Sequence, residues 1–111
     1  MNESNNSELK MFMRSYVNSL IAWAIIVFYQ QNPGVRDRVS DLAIHLGRRE
    51  KDIKRSVEHL VGKGFLKKDF GGEVVYYYEP DERLREQVDI FINALDARDK
   101  RLWILSEILD K

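Results

Sequence analysis

The sequence predicts a mainly α-helical domain that carries a small β-hairpin, and three observations lead there. Apolar residues recur at three- and four-residue spacing through residues 8–31, again through 41–63, and once more beyond Pro80. Between the last two of these regions, Gly71-Gly72 separates two short runs with strand-like alternation. The 111 residues suffice for one domain with an elongated appendage. Residues 1–7 are polar and Asn-rich and are expected to be a disordered tail, 8–80 to form the domain with an N-terminal helical extension, and 81–111 to form a C-terminal helical segment.

The first helix spans residues 8–31, with Leu9, Phe12, Met13, Tyr16, Val17, Leu20, Ile21, Ala24, Ile25 and Phe28 on its stripe. Trp23, Ile26, Val27 and Tyr29 widen the stripe until the second half is apolar almost all round, so it must be covered on several sides. Two readings stay open at Asn18-Ser19: one long helix, or a short lead-in helix before a buried one. Asn32-Pro33-Gly34 ends the run. Residues 35–39 form a link able to donate a small strand. Ser40 is the expected N-cap of a helix over 41–46, with Leu42, Ala43 and Leu46 facing inward and Gly47 as its turn. A second helix runs to about Lys63. Ile53, Val57, Leu60 and Val61 share one narrow sector, and Lys51, Arg55 and Glu58 lie roughly opposite, flanked by Lys54 and His59. Gly64 fits the position just past the helix end, and Phe65 and Leu66 return the chain to the core. The expected hairpin pairs 67–70 with 73–78 across the Gly-Gly turn. Within it Tyr76, Tyr77 and Tyr78 alternate, leaving Tyr77 exposed or against the C-terminal helix. Beyond Pro80, Val88, Leu95, Leu102 and Leu109 are spaced by seven, with Leu84, Phe91 and Leu105 as companions. The segment is either one long helix or two, broken near residues 96–100.

Composition narrows the function classes. The chain has no cysteine and only His45 and His59, so disulfides and thiolate metal sites are excluded and no cofactor is expected. The N-terminus lacks the basic-then-apolar pattern of a leader, and the most apolar run, residues 20–29, is too short to span a bilayer; a cytoplasmic protein without membrane partners is the expectation. No nucleophile has a base neighbour in sequence and no glycine loop opens a helix, so catalysis is not expected. Formal net charge is zero, but the charges are segregated. Residues 36–68 hold ten Lys/Arg against five Asp/Glu, and the remainder hold eight against thirteen. A polyanion responds to the face it meets rather than to the total.

The order of short apolar helix, glycine turn, basic amphipathic helix, glycine exit and hairpin resembles the winged helix-turn-helix family, most like small bacterial and archaeal regulators of the MarR and PadR type. The resemblance covers about residues 20–80 and rests on Asp41-Leu42-Ala43, Leu46-Gly47, Ile53, Val57, Leu60, Gly64-Phe65-Leu66 and the outgoing run Tyr76 to Pro80. It implies a winged helix-turn-helix with extra N- and C-terminal helices, its second helix entering the major groove of double-stranded DNA. By matching position, Arg55 and Lys51 are the expected readers of base edges, with Glu50 able to accept from cytosine. Arg48, Arg49, Lys54 and His59 are the expected phosphate contacts, with Lys67 and Lys68 available at the wing base. His45 is placed to approach a phosphate or to be plain surface.

Two departures from the family pattern stand out. Arg48-Arg49 replaces a capping Ser or Thr, and the wing tip carries Glu73 beside Asp69. Binding centred on the helix with a weak wing contact is therefore expected. The function implied is a sequence-specific DNA-binding transcriptional regulator acting as a homodimer. Its expected dimer surface comprises Leu9, Phe12, Met13, Tyr16, Leu84, Val88, Phe91, Leu95, Leu102, Leu105 and Leu109. The alternative is a winged-helix module that holds a protein partner. No effector ligand can be inferred.

Overall fold

The computed structural model describes residues 3–109. Six helices and three short strands follow in the order α1 (Glu3–Tyr16), α2 (Leu20–Gln31), β1 (Arg36–Asp37), α3 (Val39–Leu46), α4 (Glu50–Gly62), β2 (Leu66–Asp69), β3 (Val75–Tyr78), α5 (Glu82–Ala94) and α6 (Arg98–Leu109). The fold is mainly α with a small β wing, as the periodicities imply. Helix α1 starts at Glu3, inside the stretch expected to be a disordered tail; Met1 and Asn2 lie outside the described residues.

The open reading at Asn18-Ser19 resolves as a break, and α1 and α2 meet at 104°. Ser19 adopts an extended backbone and its hydroxyl accepts from the Ala22 amide at 3.1 Å, which caps α2. The bend lets α1 lie against α5 while α2 runs through the centre, where Ala22, Ile25, Ile26 and Tyr29 are buried. The Tyr29 hydroxyl donates to the Tyr76 carbonyl at 2.9 Å, which ties the central helix to the middle strand. No helix among the described residues is long and apolar enough to cross a membrane.

The sheet is antiparallel with order β1-β3-β2, and its registers place Arg36 opposite Tyr77 and Lys67 opposite the same tyrosine. The hairpin differs from the expected two-residue Gly-Gly turn. Its last pair is Asp69 with Val75, so residues 70–74 form a five-residue loop. The Asp69 carboxylate accepts from the Gly71 amide at 2.9 Å, and this local turn ends the ladder before Phe70.

Helix α3 also differs at its start. It begins at Val39, with Arg38 rather than Ser40 at the cap position. Asp41 is the reason: its carboxylate accepts from the Arg38 amide at 3.0 Å and from the Arg38 guanidinium. Gly47 (φ 65°) and Gly64 (φ 83°) adopt left-handed backbone at the ends of α3 and α4, where a side chain would be strained. After Gly64, the Phe65 amide reaches back to the Leu60 carbonyl at 2.9 Å, closing the helix end.

The C-terminal segment is two helices. Asp81 caps α5 by accepting from the Leu84 amide at 2.8 Å. At the break the Arg101 guanidinium donates to the Leu95 carbonyl at 2.7 Å. The break rotates α6 so that Ile104 and Ile108 enter the core, whereas the heptad residues Leu102 and Leu109 are exposed. Buried Leu9, Phe12 and Met13 of α1 join Leu84, Val88 and Phe91 of α5 in the same core as Leu42, Ile53, Val57, Leu60 and Phe65. The rings of Phe12 and Phe91 lie 5.1 Å apart.

Candidate nucleic-acid interface

Helix α4 buries Ile53, Ser56, Val57 and Leu60, which holds it against α2, α3 and β2 and turns the opposite side outward. On that side Glu50, Lys51, Lys54 and Arg55 are exposed, and Arg48 and Lys63 are exposed at the two ends. Arg48, Lys51, Lys54, Arg55 and Lys63 make no ion pair among the described residues. The helix therefore presents a row of uncompensated cations, with Glu50 as the lone unpaired acid in its first turn.

The other expected contacts are partly committed elsewhere. Arg49 occupies the cap position and donates to Asp52 at 3.1 Å. That pair is exposed on the arginine side, so it is weak and exchangeable. Lys67 pairs with Glu79 at 3.4 Å. Lys68 is not an open wing-base cation. Its ammonium donates to both Glu58 oxygens at 2.8 and 2.9 Å, and the Tyr76 hydroxyl donates to the same carboxylate. The ammonium and the hydroxyl hold the Glu58 carboxyl below the usual glutamate range, while burial and that carboxylate raise the Tyr76 hydroxyl. Glu58, an anion at helical spacing from Arg55 and Lys54, is thus neutralised chiefly from the wing, with a smaller contribution from the charge of Lys54. His59 is half-buried with its Nε2 covered and unpartnered, so it does not reach outward as the spacing implied.

The wing acids are also compensated. Arg36 donates to Asp69 at 2.7 Å and lies over the Tyr77 ring at 4.2 Å. Tyr77 thus meets β1. Arg38 bridges Glu73 and Asp41, each at 3.0 Å, and holds the Asp41 carboxyl down to about 2. These arginines were absent from the expected site. Their partners Asp69 and Glu73 lie 33 and 35 residues away in sequence, beyond the reach of any local spacing. His45 stacks on Phe28 at 5.6 Å and sits 3.4 Å from Asp37, whose carboxyl is raised chiefly by burial. That contact lacks hydrogen-bond geometry.

Of the residues expected at a dimer surface, Leu9, Phe12, Met13, Leu84, Val88 and Phe91 are covered by the chain itself. Tyr16, Leu95 and Leu105 are half-buried, and Leu102 and Leu109 are exposed together with Met11 and Ile90, which the periodicity did not single out. A separate open groove is lined by Leu20, Trp23, Val27, Phe28 and Leu46, with Arg48 at its edge. Among the described residues no group of three or more His, Asp or Glu side chains is placed to hold a metal.

No protein-family model matches the sequence, and no curated protein matches it. One solved structure does: the transcriptional regulator Tm0710 from Thermotoga maritima superposes with a TM-score of 0.55 over 96% of this chain and 82% of that one, at 16% identity. Similarity at this identity speaks for the fold and not for a subfamily such as MarR or PadR. Taken with the α3–Gly47–α4 unit, the β2–β3 hairpin and β1 closing the sheet, it shows that the chain has a winged helix-turn-helix fold.

Proposed function

We propose that this protein is a transcriptional regulator that binds double-stranded DNA in a sequence-specific manner as a homodimer, in the manner of the MarR and PadR type. One observation carries the reading: Arg48, Lys51, Lys54, Arg55 and Lys63 are exposed and unpaired on one helix and its ends, while the acids of the neighbouring wing are matched by arginines. Uncompensated cations on a protruding helix are what a phosphate backbone requires. Arg55 and Lys51, at the outward centre of α4, read base edges; Arg48, Arg49 and Lys54 hold phosphates. The second copy packs on the exposed apolar side chains of α1, α5 and α6, among them Met11, Ile90, Leu102 and Leu109. Two α4 helices then meet half-sites about one helical turn apart.

The test is duplex binding against salt concentration. The three phosphate contacts of one subunit give a slope of log K on log salt of about −2.7, and a dimer about twice that. A loss of affinity this steep is expected. No binding at low salt would overturn the reading in favour of a module that holds a protein. That second reading draws on the open apolar groove at Leu20, Trp23 and Val27 and on Ile44, which is 78% exposed on α3.

A further inference from the structure

Eight acids lie between Arg36 and Glu79, and seven of them have a basic partner, such as Arg38 for Asp41 and Glu73 or Lys68 for Glu58. Glu50 has none among the described residues. It stays unpaired although Lys54 stands four residues further along the same helix, a spacing that favours pairing. Its side chain is exposed on the first residue of α4, beside the unpaired cations Arg48, Lys51 and Lys54. An acid in this position suits the helix dipole, but Asp52 in the same turn already serves that purpose. A free carboxylate within a cationic row opposes every phosphate that approaches it.

We infer that Glu50 is a specificity-determining residue that selects by exclusion: its carboxylate accepts from the N4 amino group of a cytosine in each half-site and rejects duplexes that lack one there. This rests on the DNA-binding reading above and adds to it the base that the first turn of α4 requires. In a helix-turn-helix, the N-terminal residues of the second helix are those that meet base edges. Glu50 opens that helix. A carboxylate only accepts, and the major groove offers it donors at cytosine N4 and adenine N6. Adenine sets its N7 acceptor beside that donor, which repels the second carboxylate oxygen; guanine and thymine present acceptors alone. Cytosine is the base whose own edge holds a donor with no acceptor next to it. At any other base the carboxylate loses water without gaining a donor, and the cations around it bind phosphate less well.

The experiment selects bound sequences from a randomised duplex pool with the full chain and with its Glu50→Gln and Glu50→Ala variants, then measures affinity across a salt series. The native protein should enrich cytosine at one position of each half-site, and replacing that base should weaken binding about tenfold. Glu50→Gln should move the preference at that position alone to adenine, whose N6 and N7 suit an amide. Glu50→Ala should accept all four bases there and bind mixed-sequence DNA more tightly. Its salt slope should steepen by up to about 0.9, the weight of one phosphate contact no longer opposed. Unchanged base preferences in both variants would overturn the inference while leaving the regulator reading intact. A uniform loss of affinity with a lowered melting temperature would also overturn it, showing that Glu50 only supports the start of α4. Failure of the native protein to bind any duplex of the pool at low salt would overturn the regulator reading and this inference with it.

Discussion

Replacing Glu58 by alanine separates two roles that its sequence position leaves mixed. On an outward helical face it would repel phosphate, and its removal would strengthen DNA binding at no cost to the fold. In the structure it receives Lys68 at 2.8 Å and the Tyr76 hydroxyl, with the lysine and glutamate side chains 25% and 35% exposed. Glu58→Ala therefore removes a partly shielded ion pair, worth up to about 1 kcal/mol. It also strands the hydroxyl of the buried Tyr76, and the combined loss is about 2–3 kcal/mol. A double-mutant cycle with Tyr76→Phe should give a coupling of about 1 kcal/mol, because the hydrogen bond to a carboxylate is charge-assisted. Urea denaturation followed by circular dichroism reads these values as midpoint shifts at constant slope. The pH dependence supplies a second check. Lys68 and Tyr76 depress the Glu58 carboxyl in the folded state. Its contribution is therefore complete above the unfolded glutamate value of about 4.3 and is lost as pH falls through the lower folded value. The stability gap between native protein and Glu58→Ala should close in acid. Asp41, also depressed, is present in both proteins and cancels from the difference. A variant as stable as the native protein near neutrality, a coupling of zero, or a gap that persists undiminished in acid would refute the reasoning.

Other predictions follow from single positions. Gly47→Ala and Gly64→Ala should each cost about 1–2 kcal/mol, since open space surrounds both and only the left-handed backbone opposes a side chain. Gly62→Ala, in helical backbone with nothing near the added carbon, should instead stabilise by about 0.5 kcal/mol; thermal melts of the three read the contrast. Arg55→Ala should cost about 1–3 kcal/mol at a preferred site and flatten discrimination among sites, whereas Arg49→Ala should weaken all sites alike, as competition binding would reveal. Equal behaviour of the two would erase the division between reader and anchor. Truncation after Pro80 removes Leu84, Val88 and Phe91, each contributing about 1.5–3 kcal/mol of burial, and uncovers the apolar faces of α1 and α2. The remainder should be unfolded or aggregated by circular dichroism and light scattering; a stable folded fragment would contradict this.

The fold was largely legible because its signals are local. The stripes on α2 and α4, the turn at Gly47 and the exit at Gly64 are each decided within a few residues, and the structure has all of them, whereas Ser19 left a continuous and a broken helix equally open. What was illegible depended on long-range packing. A seven-residue leucine repeat reads as a helix seam, yet the α5–α6 break turns Ile104 and Ile108 inward and leaves Leu102 and Leu109 out. The same repeat's earlier members, Val88 and Phe91 with Leu84, found their partner in α1 of the same chain. Periodicity reveals that a face must be covered and is silent on whether the cover comes from the chain or from a second copy. The hairpin shows the limit at short range: the Gly71-Gly72 pair suggested a tight turn, but the Asp69 side chain closes its own local turn first and releases Phe70 from the strand.

The charge pattern gains meaning only once pairing is known. Residues 36–68 carry ten cations and five acids, which as a count says only that the region is basic. Arg36, Arg38, Arg49, Lys67 and Lys68 are all engaged by carboxylates, three of which, Asp69, Glu73 and Glu79, lie beyond the region. The acids outside the region thus engage Arg36, Arg38 and Lys67, Glu58 engages Lys68 from within it, and the unpaired positive charge collects between Arg48 and Lys63. Zero net charge and a strongly basic helix are therefore compatible. The acidic wing, which in sequence argues against nucleic acid, confines the exposed positive charge to α4. An approaching polyanion would meet that helix first, and specificity would then rest on a few side chains whose geometry the glycine turns and the Glu58–Lys68–Tyr76 tie hold in place.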